Sequence, residues 1–167
     1  MDAPERADAS SSPNVNFYAH AEKIALRLIA RAEQCSAGLA RKLEKRKCDP
    51  GAINEVISHL TEKKLIDDNR FACFWLQSRL RFARSPRRLL SSLCARGIDH
   101  DDAQNALKEV LNEETEDALL SRFVKKHARK ISKKKTSESE DDIRSLKFLL
   151  KGEGFSQAAI QKFCEDE

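Results

Sequence analysis

The chain has 167 residues, 40% of them apolar and 35% charged, with a formal net charge of only +4. That length suits one ordinary domain or several small repeats that share cores, and so small a net charge excludes a general polycation. Five glycines, four prolines and the lack of an alternating β-branched run exclude a sheet protein, so an all-α chain with much wetted helix surface is expected.

The other exclusions are chemical. No apolar run approaches the roughly 18 to 20 residues of a membrane span, and an N-terminus bearing Asp2, Glu5 and Asp8 lacks the basic-then-apolar order of a signal peptide. A soluble cytoplasmic protein is expected. The five cysteines, Cys35, Cys48, Cys73, Cys94 and Cys164, are odd in number and form no C-x-x-C pair, which fits a reducing compartment without disulfides.

In chain order, residues 1–15 are rich in Ala, Ser, Asp and Pro and predict a disordered tail. Residues 16–65 predict a first three-helix unit. Ala21, Ile24, Ala25, Leu28, Ile29 and Ala32 form the stripe of its first helix, and Asp49 with Pro50 marks the start of its third. Residues 66–111 predict a second unit. Asp67 or Asp68 caps a helix through Phe71, Phe74, Trp75 and Ser78 toward Phe82, the most aromatic part of the chain and the expected anchor of its largest core.

Ser85 then reads as an N-cap and Pro86 as the first helical residue, followed by Leu89, Leu90 and Leu93 at helical spacing until Gly97, which can take the left-handed conformation that ends a helix. Ile98 is a buried pivot, Asp99 caps the next helix, and Ala103, Ala106, Leu107 and Val110 line its apolar face. Residues 112–167 predict a third unit. Acidic Asn112 to Glu116 suits a first helical turn, Leu119, Leu120, Phe123 and Val124 follow at helical spacing, and residues 131–141 read as a polar loop.

These units are copies. Cys35, Leu39, Leu43, Lys47, Cys48, Asp49, Ile53, Val56 and Ile57 fall in the slots of Ser85, Leu89, Leu93, Gly97, Ile98, Asp99, Ala103, Ala106 and Leu107. Asp142, Leu146, Leu150, Gly154, Phe155, Ser156, Ile160, Phe163 and Cys164 fill the same slots again without a gap. A repeat of this kind predicts an array of three tandem three-helix units.

The run LIDDNRFACFWLQSRLRFARSPRRLLSSLCARGID, from Leu65 to Asp99, resembles the central signature of the RecX family of recombination regulators, in which an L-D-D-x-R-F-A run leads to a basic helix and a P-x-R-I/L turn motif. ALRLIARAEQCSAGLARKLEKRKC is similar to that family's first repeat and KFLLKGEGFSQAAI to its last. The resemblance implies an elongated, curved helical array that lies in the groove of a RecA-type recombinase filament on DNA and depresses its ATPase, growth or strand exchange. It also implies a monomer without enzymatic activity. Against the family pattern, Lys47 stands where glycine is expected, Cys35 where a serine-like cap is, and Ser85 where glycine is common.

The polar feature that stands out is six arginines, Arg79, Arg81, Arg84, Arg87, Arg88 and Arg96, with no acidic residue among them. Guanidinium forks bind phosphate or carboxylate bidentately, so a negatively charged partner is expected. Arg122, Lys125, Lys126, Arg129, Lys130 and Lys133 to Lys135 form a second basic group and Arg41, Lys42, Lys45, Arg46 and Lys47 a third, and units stacked side by side would join them into one band. Taken with the resemblance, which implies the recombinase filament as partner, single- or double-stranded DNA is a further expected contact.

The remaining polar residues read as structural. Asp67 and Asp68 read as helix caps rather than a catalytic pair, and Phe74 and Trp75 as core rather than base-stacking groups. Cys48 and Cys164 occupy apolar slots and read as small buried hydrophobes. No cysteine has a histidine close in sequence, His20, His59, His100 and His127 miss zinc-ligand spacing, and no phosphate-binding glycine motif occurs, so no metal, cofactor or ATP site is expected. The alternative is a direct DNA binder, because two short helices around Gly97 and Ile98 resemble a helix-turn-helix, although the helix after that turn carries Asp101, Asp102 and Glu109.

Overall fold

The computed structural model describes residues 13–132 and 140–165, with side chains described for 16–127 and 143–165. Most of the expected tail and loop, and the side chains of Arg129 and Lys130, therefore lie outside the described residues. Among the described residues every element is a helix: α1 (Pro13–Ile29), α2 (Ser36–Glu44), α3 (Pro50–Glu62), α4 (Asp68–Arg79), α5 (Pro86–Cys94), α6 (His100–Val110), α7 (Glu113–Ser132), α8 (Glu140–Gly152) and α9 (Gln157–Glu165). α1 starts within the stretch expected to be tail, and α7 and α8 take up both ends of the expected 131–141 loop.

The chain forms two compact units that divide between Asp67 and Asp68. In the first, α1, α2 and α3 pack on one another around Ala21, Ala25, Leu39, Leu43, Val56 and Leu60. In the second, α4 and α5 pack on α6, and α7 and α8 on α9.

The same turn joins the second and third helices of each group. Lys47, Gly97 and Gly154 all have positive φ, at 60°, 91° and 89°. The amide of the following residue reaches back to the last helical turn: Cys48 to the Leu43 carbonyl at 3.2 Å, Ile98 to Leu93 at 3.3 Å and Phe155 to Leu150 at 3.2 Å. This left-handed cap satisfies carbonyls that helix ends leave open, and it drives the next side chain inward. Cys48, Ile98 and Phe155 are accordingly buried, as are Leu43, Leu93 and Leu150. The third helix starts at once, its exposed amides met by Asp49 (3.0 Å to the Ala52 amide), Asp99 (2.9 Å to Asp101) and Ser156 (3.2 Å to Ala159).

Four expectations fail at the level of side chains. Phe74 is 59% exposed, and the buried residues of α4 are Ala72 and Leu76 instead. α4 packs on α6, whose buried residues are Ala103 and Ala106, and alanines on both helices permit a close approach that a phenylalanine at the seam would prevent. Ser85 has the extended backbone of an N-cap but makes no capping bond, because its buried hydroxyl donates to Glu153 Oε2 at 2.5 Å. Asp142, aligned with the capping slot, lies inside α8, which begins earlier than α2 or α5 do in their repeats. Cys164 is only half-buried, as are Ile57 and Leu107 in the same slot, because that slot lies at the edge of the buried stripe of each third helix.

Cys35 stands in its expected place before α2 and is buried, with no side-chain capping bond. Its sulfur sits 2.8 Å from where a Cβ on Gly38 would be, so the bulkier thiol is accommodated by a glycine in the first turn.

Lys47 and Gly154 occupy equivalent slots but differ in what surrounds them. A Cβ on Gly154 would stand 3.2 Å from the Arg87 backbone nitrogen as well as forcing an L-residue to positive φ. Gly154→Ala should therefore lower stability by about 1–3 kcal/mol, whereas Lys47→Gly should raise it by about 0.5–1 kcal/mol. Urea unfolding followed by circular dichroism measures both; equal effects of one sign would contradict this account.

Candidate polyanion-binding face

The arginines that the sequence groups together are sorted by the fold into three sets. Arg79, at the end of α4, lies 5.4 Å from the Trp75 ring centre and 5.7 Å from that of Phe82. Arg96 covers Trp75 at 4.5 Å while its Nη1 donates to the Ser92 carbonyl at 2.7 Å, and Arg81 lies 4.8 Å from Phe82. These contacts hold the cations against aromatic faces. Trp75, half-buried, is thus a support for arginines more than a core anchor. Arg79 Nε is buried without a hydrogen-bond partner, a desolvation cost that the two flanking rings offset.

Arg87 belongs to a junction inside the second unit. Its amide donates to the Glu153 carbonyl at 2.9 Å and its Nη1 to the Gly152 carbonyl at 3.3 Å, which docks the first turn of α5 on the end of α8 and the turn after it. Arg122 of α7 similarly donates to the Leu80 carbonyl at 3.2 Å. The Ser156 amide donates to Glu116 at 2.6 Å, and Lys162 pairs with Asp117.

That leaves Arg84 and Arg88, both exposed, and Lys126 on α7, also exposed. All three line an open cavity of about 440 Å³ between α5 and α7, together with Ser92, Phe123 and His127. Among the described residues no acidic side chain lines it. The wall on the α7 side is rigid: His127 stacks on Phe123 with ring centres 4.3 Å apart and planes 29° from parallel. Phe123 in turn is buried against Phe155, at 5.4 Å. His127 Nδ1 is 2.9 Å from the Phe123 carbonyl, and since a carbonyl only accepts, Nδ1 carries a hydrogen and donates.

The structure thus brings Arg84, Arg88 and Lys126 together, turns Arg79, Arg81 and Arg96 to the aromatics, and uses Arg87 at the junction. Lys125 is exposed but does not line the cavity. His127 and Phe123 were not anticipated as site residues; their spacing of four along a helix is the signal for a stacked pair. The basic group on α2 lies in the other compact unit, where Arg41 Nε donates to the Ala37 carbonyl at 3.2 Å and Arg46 Nη1 to that of Lys42 at 3.0 Å.

One cysteine does meet a histidine. Cys94 Sγ lies 3.9 Å from His100 Nδ1, six residues on, because the tight turn folds the start of α6 back on the end of α5. Among the described residues no group of three His, Cys, Asp or Glu side chains could hold a metal ion, and no helix is long and apolar enough to cross a membrane.

Comparison with known proteins points one way. Residues 21–60 match the family model described as RecX, first three-helix domain, and residues 67–107 match RecX, second three-helix domain. A regulatory protein RecX of Treponema pallidum (strain Nichols) is 36% identical over 111 residues, covering 66% of this chain and 68% of the relative. One from Halorhodospira halophila is 33% identical over 138 residues, covering 82% and 81%. The crystal structure of RecX from Lactobacillus salivarius matches with a TM-score of 0.67 at 18% identity, over 90% of this chain and 96% of that one. A second RecX crystal structure gives 0.74 at 16% identity, over 99% and 80%.

The partition of the arginines is testable by stability alone. Arg96→Ala should lower stability by about 0.5–2 kcal/mol through loss of the Trp75 contact, while Arg84→Ala should leave it within about 0.5 kcal/mol. Thermal melts of the two variants decide this, and equal melting temperatures would overturn the assignment.

Proposed function

Since the chain belongs to the RecX family of regulatory proteins, we propose that it is a non-enzymatic regulator that binds a RecA-type recombinase filament on DNA, in the filament's helical groove, and depresses ATPase, filament growth and strand exchange. The observation that carries the reading is the cluster of Arg84, Arg88 and Lys126 around a cavity that no acidic side chain lines among the described residues. Guanidinium forks held on rigid helices suit phosphates or the carboxylates of a protein wound on nucleic acid. A repeated three-helix unit suits a partner that is itself repetitive, because weak contacts made together along a polymer multiply into avidity.

A helix-turn-helix mode of DNA reading finds less support. The helix after the Gly97 turn, α6, has Asp101 and Asp102 in its first turn and ends near Glu109, and those carboxylates would repel phosphates from the position a recognition helix takes.

The test is recombinase ATP hydrolysis on single-stranded DNA, with this protein added well below one copy per recombinase subunit. Suppression at such ratios is the expected outcome, because an agent acting on a polymer affects many subunits at once. Arg84→Ala with Arg88→Ala should raise the concentration needed by roughly tenfold or more, equivalent to about 1.4 kcal/mol, with helicity unchanged by circular dichroism. Hydrolysis unaffected even at equimolar protein would end this reading.

A further inference from the structure

We propose that the cavity between α5 and α7 is a nucleotide pocket that takes one residue of a single-stranded nucleic acid, with the phosphodiester on Arg84, Arg88 and Lys126 and the base on the imidazole of His127. The proposal rests on the reading of this basic face as the contact surface and adds to it a ligand of defined chemistry.

Three observations favour a nucleotide over a bare anion or an acidic peptide. The first is size. A cavity of about 440 Å³ lies within the roughly 300–1,000 Å³ typical of small-molecule sites and exceeds what a single phosphate or carboxylate would fill. The second is division of labour within the cavity. Its cations are Arg84 just before α5, Arg88 in the first turn of α5 and Lys126, while its α7 wall also carries Phe123 and His127. The third is preorganisation of that flat surface. The imidazole is stacked on a phenylalanine that is itself buried, and its Nδ1 is tied to a backbone carbonyl, so the ring is held in one orientation. One ring face is covered by Phe123, and the imidazole lines the cavity, where a base can stack on it without further ordering of the side chain.

An acidic peptide would use the cations and leave the imidazole face uncovered. A phosphodiester with its base uses both, and stacking of this kind tolerates any base, so the pocket should show little sequence preference. A duplex would not serve, because its bases are paired and stacked inside.

The experiment uses the full chain without recombinase, titrated against a fluorescein-labelled ten-residue oligothymidylate at low salt, with anisotropy as the readout. Binding is expected, weakened at least fivefold by Arg84→Ala with Arg88→Ala and at least threefold by His127→Ala. An abasic oligomer of the same length should bind the wild type about as weakly as the thymidylate binds His127→Ala, and His127→Ala should not weaken it further. Thymidine monophosphate as competitor separates a free nucleotide from a strand: displacement only at a large excess supports a strand site, whereas displacement near stoichiometry would overturn that part. Equal affinity for abasic and thymidylate oligomers, or tighter binding of poly-glutamate than of either, sinks the nucleotide pocket. Recombinase ATPase measured in parallel keeps the outcomes apart. Suppression retained without oligonucleotide binding refutes the pocket and leaves the regulator reading standing, and loss of both refutes both.

Discussion

Everything in this architecture depends on a helix being stopped by one residue in the left-handed conformation and followed by one side chain that must be buried. At Lys47, Gly97 and Gly154 the chain turns so tightly that the next helix begins three residues later. The turn closes the open carbonyls of the outgoing helix and inserts Cys48, Ile98 or Phe155 against the leucine of its last turn. Hydrogen-bond satisfaction and hydrophobic burial are met by the same residues, so the angle between the helices is fixed rather than merely favoured. With that angle fixed three times, the first helix of each group has only one apolar groove to cover.

The backbone of this scheme was legible in the sequence. Asp-Pro at Asp49 and Pro50, Gly97 before Ile98, and the acidic opening of α7 are punctuation with direct mechanical meaning, and the equivalence of Lys47 with Gly97 followed from alignment alone. What could not be read was which face of α4 turns inward. Phe71, Phe74 and Trp75 carry the stronger apolar signal, yet Ala72 and Leu76 are buried, because contact with the alanines of α6 rewards small residues over large ones. Periodicity weighs each residue by its own hydrophobicity and knows nothing of the surface it will meet. Ser85 failed for a related reason: a hydroxyl in a capping position was drawn to Glu153, far away in sequence.

The basic face was legible as a composition and not as a site. Six arginines without an acid announce a surface for anions, but they do not announce that three of them lie on aromatic rings or that a fourth holds a turn. That sorting emerges only when Trp75 and Phe82 are placed beside the guanidiniums and α7 beside α5. Nor does the sequence mark His127, whose place depends on Phe123 being anchored by Phe155. The cations at the cavity are set on a scaffold held by buried contacts elsewhere, so structural and ligand-facing arginines have separate tasks although they are neighbours in the chain.

The docking of the α5 turn on the α8 turn has one more implication. Its central bond runs from the main-chain amide of Arg87 to the main-chain carbonyl of Glu153. Such a bond leaves no signature in the amino-acid alphabet; any residue but proline could donate it. Ancestral drift can therefore rewrite the side chains on either side of that seam while the seam itself is inherited intact.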